Sequence, residues 1–147
     1  MATATLSQFR NESLADFSQA ANRHAMEIAL RKVRSEFGRE YPLRIGKEEI
    51  RTGDTLTSVN PSNTSEIVGV HHKATAALAN RVVEDSYAAF PRWAATPEHE
   101  RVRMTLEVAR LIRLRKFEFD AWLVYEAGKT WPEVPIETKI SALSMAA

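Results

Sequence analysis

Arg101–Trp131, RVRMTLEVARLIRLRKFEFDAWLVYEAGKTW, is the longest periodic stretch of the chain, and it ends on the most specific short motif, Glu126-Ala127-Gly128-Lys129. Val102, Leu106, Ala109, Leu111 and Ile112, then Phe119, Leu123 and Val124, recur at mixed three- and four-residue spacing, as one buried helix face requires. Arg101, Arg103, Arg110, Arg113, Arg115 and Lys116 fall mainly between them. Upstream, Thr96-Pro97-Glu98 reads as a helix start: Thr accepts a backbone N–H, Pro needs no donor there, and Glu complements the positive helix end. Gly128 supplies a left-handed stop without a side-chain clash. The spacing predicts a long amphipathic helix, with room for one break near Arg115–Glu118, that delivers a glutamate to its C-terminal end.

Working back towards the N-terminus, a helix starts near Thr75 and presents Leu78, Val82, Ala89 and Trp93. Pro91 lies in its last turns, removes a backbone donor, and is expected to kink or end it. The short break before Thr96 predicts that this helix and the next pack as an antiparallel pair. Before it come strands at Glu66–Val70 and Thr55–Val59, joined by the turn-forming Asn60-Pro61-Ser62-Asn63. Leu43-Arg44-Ile45 and Glu49-Ile50-Arg51 flank Gly46-Lys47-Glu48 as a short hairpin. In Glu66–Val70, Gly69 is suited to a close backbone approach. Ser18 is placed to cap a helix running to about Phe37, with Met26, Leu30, Val33 and Phe37 as its stripe and Gly38 as its stop. Residues 1–17 are polar and aperiodic, and after Trp131 both Pro132 and Pro135 interrupt any helix.

The chain has 147 residues, 44% hydrophobic and 27% charged, with a net charge of +1. That is room for one domain, and the balance gives no pointer to nucleic acid or an anionic membrane. Apolar runs are short and interrupted by charge, so no membrane span is expected. The N-terminal residues have no apolar signal core and acquire Glu12 and Asp16 early, so an export signal is not expected either. There is no cysteine, which excludes disulfides, thiolate metal sites and a cysteine nucleophile from this chain.

Little local chemistry remains. Gly38, Gly46, Gly53, Gly69 and Gly128 are too scattered for a phosphate loop. The adjacent His71 and His72 point to opposite faces of a strand and lack metal-ligand spacing, so both are read as solvated strand-end residues. The basic Arg110–Lys116 run reads as the solvated face of the long helix. From the residues alone the chain is an α+β domain without a catalytic motif.

Family resemblance sharpens this. Val59-Asn60-Pro61-Ser62-Asn63, Ile67-Val68-Gly69-Val70, Ala89-Phe90 with Trp93, Glu100-Arg101 and Tyr125-Glu126-Ala127-Gly128-Lys129 resemble, in order and spacing, the N-terminal part of NAD-dependent aldehyde dehydrogenases. Phe17-Ser18, Glu40-Tyr41-Pro42-Leu43-Arg44-Ile45-Gly46 and the run from Phe119 to Trp131 look like the L-glutamate γ-semialdehyde (1-pyrroline-5-carboxylate) dehydrogenases of proline catabolism. The resemblance covers about residues 12–133. It implies an α/β fold: a helical arm, a β-hairpin, and the first strands and helices of the cofactor domain, incomplete as a domain. The implied division is a polar arm at 1–17, a helix and hairpin/strand region at 18–58, the start of the NAD-binding domain at 59–133, and a divergent tail at 134–147.

The implied reaction oxidises the semialdehyde to glutamate. A cysteine thiolate attacks the aldehyde, the adduct passes hydride to NAD, and a glutamate activates water. In the family the cysteine, the general base, the oxyanion-hole asparagine and the cofactor-loop glycines all lie downstream of the Gly128-Lys129 position. No catalytic, cofactor-binding or metal residue is therefore expected here, NAD is expected only in the parent enzyme, and the chain alone is expected to be inactive. The tail after Glu133 and the proline at Pro91 depart from the family pattern, and a truncated or frame-shifted product would account for the tail and the missing cysteine.

One residue carries over. Glu126 matches a glutamate that lines the substrate entrance in semialdehyde-specific relatives, where a carboxylate would attract the α-ammonium group. The plain reading stands beside it: a solvated last-turn glutamate, mildly unfavourable near the negative helix end. Lys129 is read as neutralising that end. The expected partners are the semialdehyde in the parent enzyme and copies of the chain or full-length subunits, without nucleic acid or membrane, in the cytoplasm. The alternative role is a non-catalytic module that binds full-length aldehyde dehydrogenase subunits. Strand edges and helix stripes without their cover predict weak autonomous stability.

Overall fold

A computed structural model describes residues 14–134; residues 1–13 of the arm expected at 1–17, and residues 135–147 of the tail expected at 134–147, lie outside the described residues. In chain order the elements are α1 (Ala20–Arg34), β1 (Arg39–Tyr41), β2 (Leu43–Ile45), β3 (Glu48–Ile50), β4 (Thr55–Asn60), β5 (Asn63–His72), α2 (Ala76–Ala94), α3 (Glu98–Leu114) and α4 (Lys116–Ala127). The class is α/β, as expected.

The core lies between the first and last helices. Met26, Ala29 and Val33 of α1 repeat at i, i+3 and i+7, and all three are buried against Ala121 of α4 and Val134. Phe17, Phe117 and Trp131 close its rim, with the Phe17 and Trp131 ring centroids 5.5 Å apart. Ser18 does not cap α1. The cap position is Gln19, which makes no side-chain cap bond, and the Ser18 N–H instead donates to Asp16 Oδ1 at 2.9 Å. The Arg23 guanidinium fastens the entry by donating to the carbonyls of Phe17 and Ser18. The helix ends at Arg34, short of Phe37, with Arg31, Lys32 and Arg34 facing its negative end.

β1, β5 and β4 form one sheet in that order, β1 parallel and β4 antiparallel to β5. The Asn60–Asn63 turn forms as expected: Asn60 Oδ1 accepts the Ser62 N–H at 2.9 Å, the local bond that makes Asn a turn former. β2 and β3 make the expected hairpin with Ile45 opposite Glu48. Gly46 sits at φ 59°, which a two-residue hairpin turn demands.

Thr75 caps α2 as its position suggests, accepting the Leu78 N–H at 3.2 Å. Pro91 does not end α2, which continues to Ala94. The missing donor falls in the last turns, where little of the helix remains to be disrupted. Two other expectations fail. Thr96 does not cap α3; its hydroxyl donates to the Arg92 carbonyl at 3.0 Å, and Pro97 stands at the cap position without a side-chain bond. Nor do α2 and α3 bury a shared apolar seam: α2 buries no residue and α3 only Ala109. Arg101 spans their elbow, its guanidinium 6.0 Å from the Trp93 ring centroid.

The long periodic stretch does break once, at Arg115 (φ −107°, ψ 17°). The break redirects the chain, so α4 packs on α1 while Val102 and Leu111 of α3 stay exposed. The single buried face expected from Val102 to Val124 is thus confined largely to the α4 part.

Candidate functional site

The C-terminal end of α4 rests on the β4–β5 corner. Gly128 takes the left-handed conformation (φ 64°, ψ 24°), and the N–H groups of Gly128 and Lys129 donate back to the Val124 and Leu123 carbonyls. A Cβ at Gly128 would come within 3.1 Å of Pro61 Cγ. Glycine therefore serves twice: it permits the positive φ, and it lets the helix end press against the turn after β4.

Glu126 lies on this last turn with an exposed side chain. Ser58 of β4 donates its hydroxyl to Glu126 Oε2 at 2.8 Å. That bond spans the helix and the sheet, and it converts a free-swinging carboxylate into one fixed at the corner. The opposing negative helix end makes the carboxylate a ready acceptor for a cation.

Tyr41 completes the surroundings. Its ring stacks on His71 at 5.2 Å between centroids and 14° between planes. Gly69 makes the space, since a Cβ there would come within 3.1 Å of His71 Nε2 and 3.2 Å of Tyr41 Cε2. The close approach expected at Gly69 is real, and it belongs to these two rings. Among the described residues the Tyr41 hydroxyl is a buried side-chain polar atom with no hydrogen-bond partner. Burial pushes its pKa upwards, and the carboxylates of Glu36 and Glu126 add to the effect. It is thus a neutral phenol, and a potential donor, within the field of Glu126.

Beyond Gly128 the chain is held by a reciprocal turn. Glu133 Oε2 accepts the Thr130 N–H at 2.9 Å and the Thr130 hydroxyl at 2.8 Å, bonds that hold the Glu133 carboxyl below its usual range.

The histidines divide. His72 is buried rather than solvated: its Nδ1 lies 2.9 Å from the N and O of Thr52, and its Nε2 is 2.7 Å from Glu40 Oε1. Arg51 also pairs with Glu40, so the cluster ties β1, the segment before β4 and the end of β5 together. The bonds to His72 and then Arg51 lower the Glu40 pKa. Among the described residues no group of three or more histidine or acidic side chains is placed to hold a metal ion. Sequence reading named Glu126 alone. Ser58 was missed because its alternating strand position carries no signal that a helix end 68 residues away would meet it, and Tyr41 because nothing in its strand marks an unpartnered hydroxyl.

Known proteins show the same arrangement of elements. A profile described as "Aldehyde dehydrogenase family" matches residues 49–147. The 1-pyrroline-5-carboxylate dehydrogenase of Geobacillus kaustophilus is 45% identical over 130 residues, which is 88% of this chain and 25% of that protein. The solved Thermus thermophilus 1-pyrroline-5-carboxylate dehydrogenase is 42% identical with a TM-score of 0.93, over 97% of this chain and 28% of that one. A Thermus structure of that enzyme carries bound NAD and matches equally well. Proline utilization A from Bdellovibrio bacteriovorus is 27% identical with a TM-score of 0.91, over 95% of this chain and 14% of its own. The chain spans about a quarter of the length of the curated relatives it matches. Its fold matches an N-terminal portion of theirs.

Proposed function

The chain belongs to the aldehyde dehydrogenase family, and from that premise we propose that it is the N-terminal portion of an NAD-dependent L-glutamate γ-semialdehyde (1-pyrroline-5-carboxylate) dehydrogenase, inactive by itself. The observation that carries this reading is the 45% identity to a protein of that name over 88% of the chain. It is supported by the fit of the backbone to the Thermus enzyme.

Bound NAD would supply the hydride acceptor. The described residues do not fit it. The connection from β5 to α2, Lys73-Ala74-Thr75, contains no glycine, and every glycine of the chain stands alone. The chain also lacks a thiol to attack an aldehyde. What it contributes in this reading is recognition. Glu126, held by the Ser58 hydroxyl, presents a carboxylate for the α-ammonium group of the semialdehyde.

The same reading takes residues 1–17 as an arm, 18–58 as the helix and hairpin region, 59–133 as the start of the cofactor domain and 134–147 as a divergent tail. It places the protein in the cytoplasm with a homo-oligomer or full-length subunits as partners, and without nucleic acid or membrane partners. Among the described residues no helix is long and apolar enough to cross a membrane.

The test has two parts. The purified chain, freed of host dehydrogenases, is assayed for NADH formation with the semialdehyde, and any turnover lost on removing the chain refutes the inactivity. The chain is then joined to the part of the Geobacillus enzyme beyond the match. Activity on the semialdehyde is expected, with Glu126→Gln raising KM roughly tenfold and leaving kcat nearly unchanged, as loss of a charge-assisted contact made equally in ground and transition states predicts. An unchanged KM removes Glu126 from recognition.

A further inference from the structure

The His72 cluster contains one atom with two partners that exclude each other. Nδ1 lies 2.9 Å from the Thr52 nitrogen and 2.9 Å from the Thr52 carbonyl oxygen. A ring nitrogen without a proton accepts from the N–H and repels the carbonyl; with a proton it donates to the carbonyl and repels the N–H. It cannot do both. The side chain is 6% exposed, so a ring nitrogen left without its partner would be costly.

The other ring nitrogen settles which proton is free to change. Nε2 is 2.7 Å from Glu40 Oε1. Hydrogen bonds from His72 and then Arg51 hold the Glu40 carboxyl below its usual range, so near neutral pH it is a carboxylate, which only accepts. Nε2 therefore carries a proton in both charge states of the ring. The neutral ring has a bare Nδ1 and takes the Thr52 N–H; the imidazolium turns to the Thr52 carbonyl.

The surroundings let that exchange happen in place. The two Thr52 groups flank one Cα, so rotation of the adjoining peptide planes swaps them without moving a strand. Thr52 Oγ1 lies 2.9 Å from the Asp54 carbonyl oxygen and 3.0 Å from that of Lys73, and the Lys73 N–H donates to the Asp54 carbonyl at 2.9 Å. These bonds fasten the connection to the end of β5 while the peptide turns. The charged groups around the ring are Glu40 of β1, Arg51 and Asp54 before β4, and Lys73 after β5. Arg51 pairs with Glu40, and Lys73 with Asp54. β4 sets the uncharged Thr55 opposite His72. Arg39, Tyr41 and His71 gather on the other side of the sheet.

We propose that His72 is a pH-sensitive switch on the connection into β4: the proton on Nδ1 decides whether the ring holds the Thr52 N–H or the Thr52 carbonyl, and so sets the conformation of residues 51–54. Imidazole is the side chain that ordinarily changes charge near neutrality. Nothing in this depends on which reaction the parent enzyme performs.

The test is an NMR titration of the full 147-residue chain, isotopically labelled at histidine and threonine, between about pH 5 and 8. Ring nitrogen shifts report the tautomer. Exchange of the Thr52 amide is followed with the ordinary pH dependence of chemical exchange divided out. At the alkaline end the ring proton is expected on Nε2, with a protected Thr52 amide. On acidification Nδ1 gains a proton, the Thr52 carbonyl resonance moves in the same transition, and protection of the Thr52 amide falls by about tenfold, as loss of one hydrogen bond implies. His71→Gln should leave that transition in place. The same labels can be carried in the fusion with the Geobacillus segment, so the outcome does not hinge on how well the chain folds alone.

A neutral ring with its proton on Nδ1 overturns the proposal, since it would hold the Thr52 carbonyl at every pH. So does a His72 titration that leaves Thr52 unmoved, or a ring that takes up no proton before α1 loses its amide protection. A Thr52 transition that survives His72→Gln overturns it as well.

Discussion

The ion cluster at Glu118 gives the sharpest quantitative test of the α1–α4 core. Arg115 grips the carboxylate with two bonds, Nε to Oε2 at 3.2 Å and an η-nitrogen to Oε1 at 2.7 Å, and Lys32 of α1 reaches Oε2 at 2.8 Å. The Arg115 bonds, then the Lys32 bond, lower the pKa from 4.5 to about 2 against the opposing effect of burial. At about 1.36 kcal/mol per pH unit, that drop corresponds to at most about 3.4 kcal/mol. The carboxylate is 16% exposed, but Lys32 and Arg115 are 53% and 58% exposed, so solvent screening brings the expected value to about 1–1.5 kcal/mol. Because the folded pKa lies below the unfolded one, this stability is fully present above pH 4.5 and disappears as pH falls towards 2. Glu118→Gln keeps the shape and removes the charge. In urea titrations followed by tryptophan fluorescence, the variant should be less stable by about that amount at pH 7, and the gap should close on acidification. Other carboxylates titrate in both proteins, so the difference isolates Glu118. A gap that persists at the acid end, or no gap at neutral pH and low salt, refutes the reasoning.

Two further outcomes are expected. Gly128→Ala forces a methyl group into the left-handed region and against Pro61, so it should lower unfolding free energy by about 1–2 kcal/mol or more; an unchanged urea midpoint would contradict the docking of α4 on the turn. Met26→Ala removes a fully buried side chain from the hydrophobic cluster that joins α1 to α4, at a cost of about 2–5 kcal/mol. A loss under about 1 kcal/mol, measured the same way, would place the core elsewhere.

What the sequence made legible was local. Gly46 at a positive φ, the Asn60 side chain bonding two residues on, and the left-handed Gly128 depend on a handful of neighbours, and each was readable without the fold. So was the break at Arg115. Glu126 was readable only through resemblance, because an exposed last-turn carboxylate carries no pattern of its own. Ser58 was invisible for a different reason: its relation to α4 is made by chain reversal, not by spacing. His72 looked solvated because a strand-end position says nothing about Glu40 and Thr52 arriving from elsewhere. The supposed α2–α3 pair failed on the same ground. Periodicity shows that a helix has an apolar side and says nothing of which body meets it.

The placement of the core has a consequence for how the chain is made. Val33 of α1 waits for Ala121 of α4, and the intervening residues hold the whole sheet and two further helices. At a synthesis rate of about 5–20 residues per second, α1 leaves the ribosome roughly 4–18 s before its cover exists. The hairpins can close in microseconds during that interval, but the Met26–Val33 stripe cannot. For those seconds it is an uncovered apolar stripe on an otherwise charged helix, the kind of surface that a holdase chaperone would shield until α4 is made.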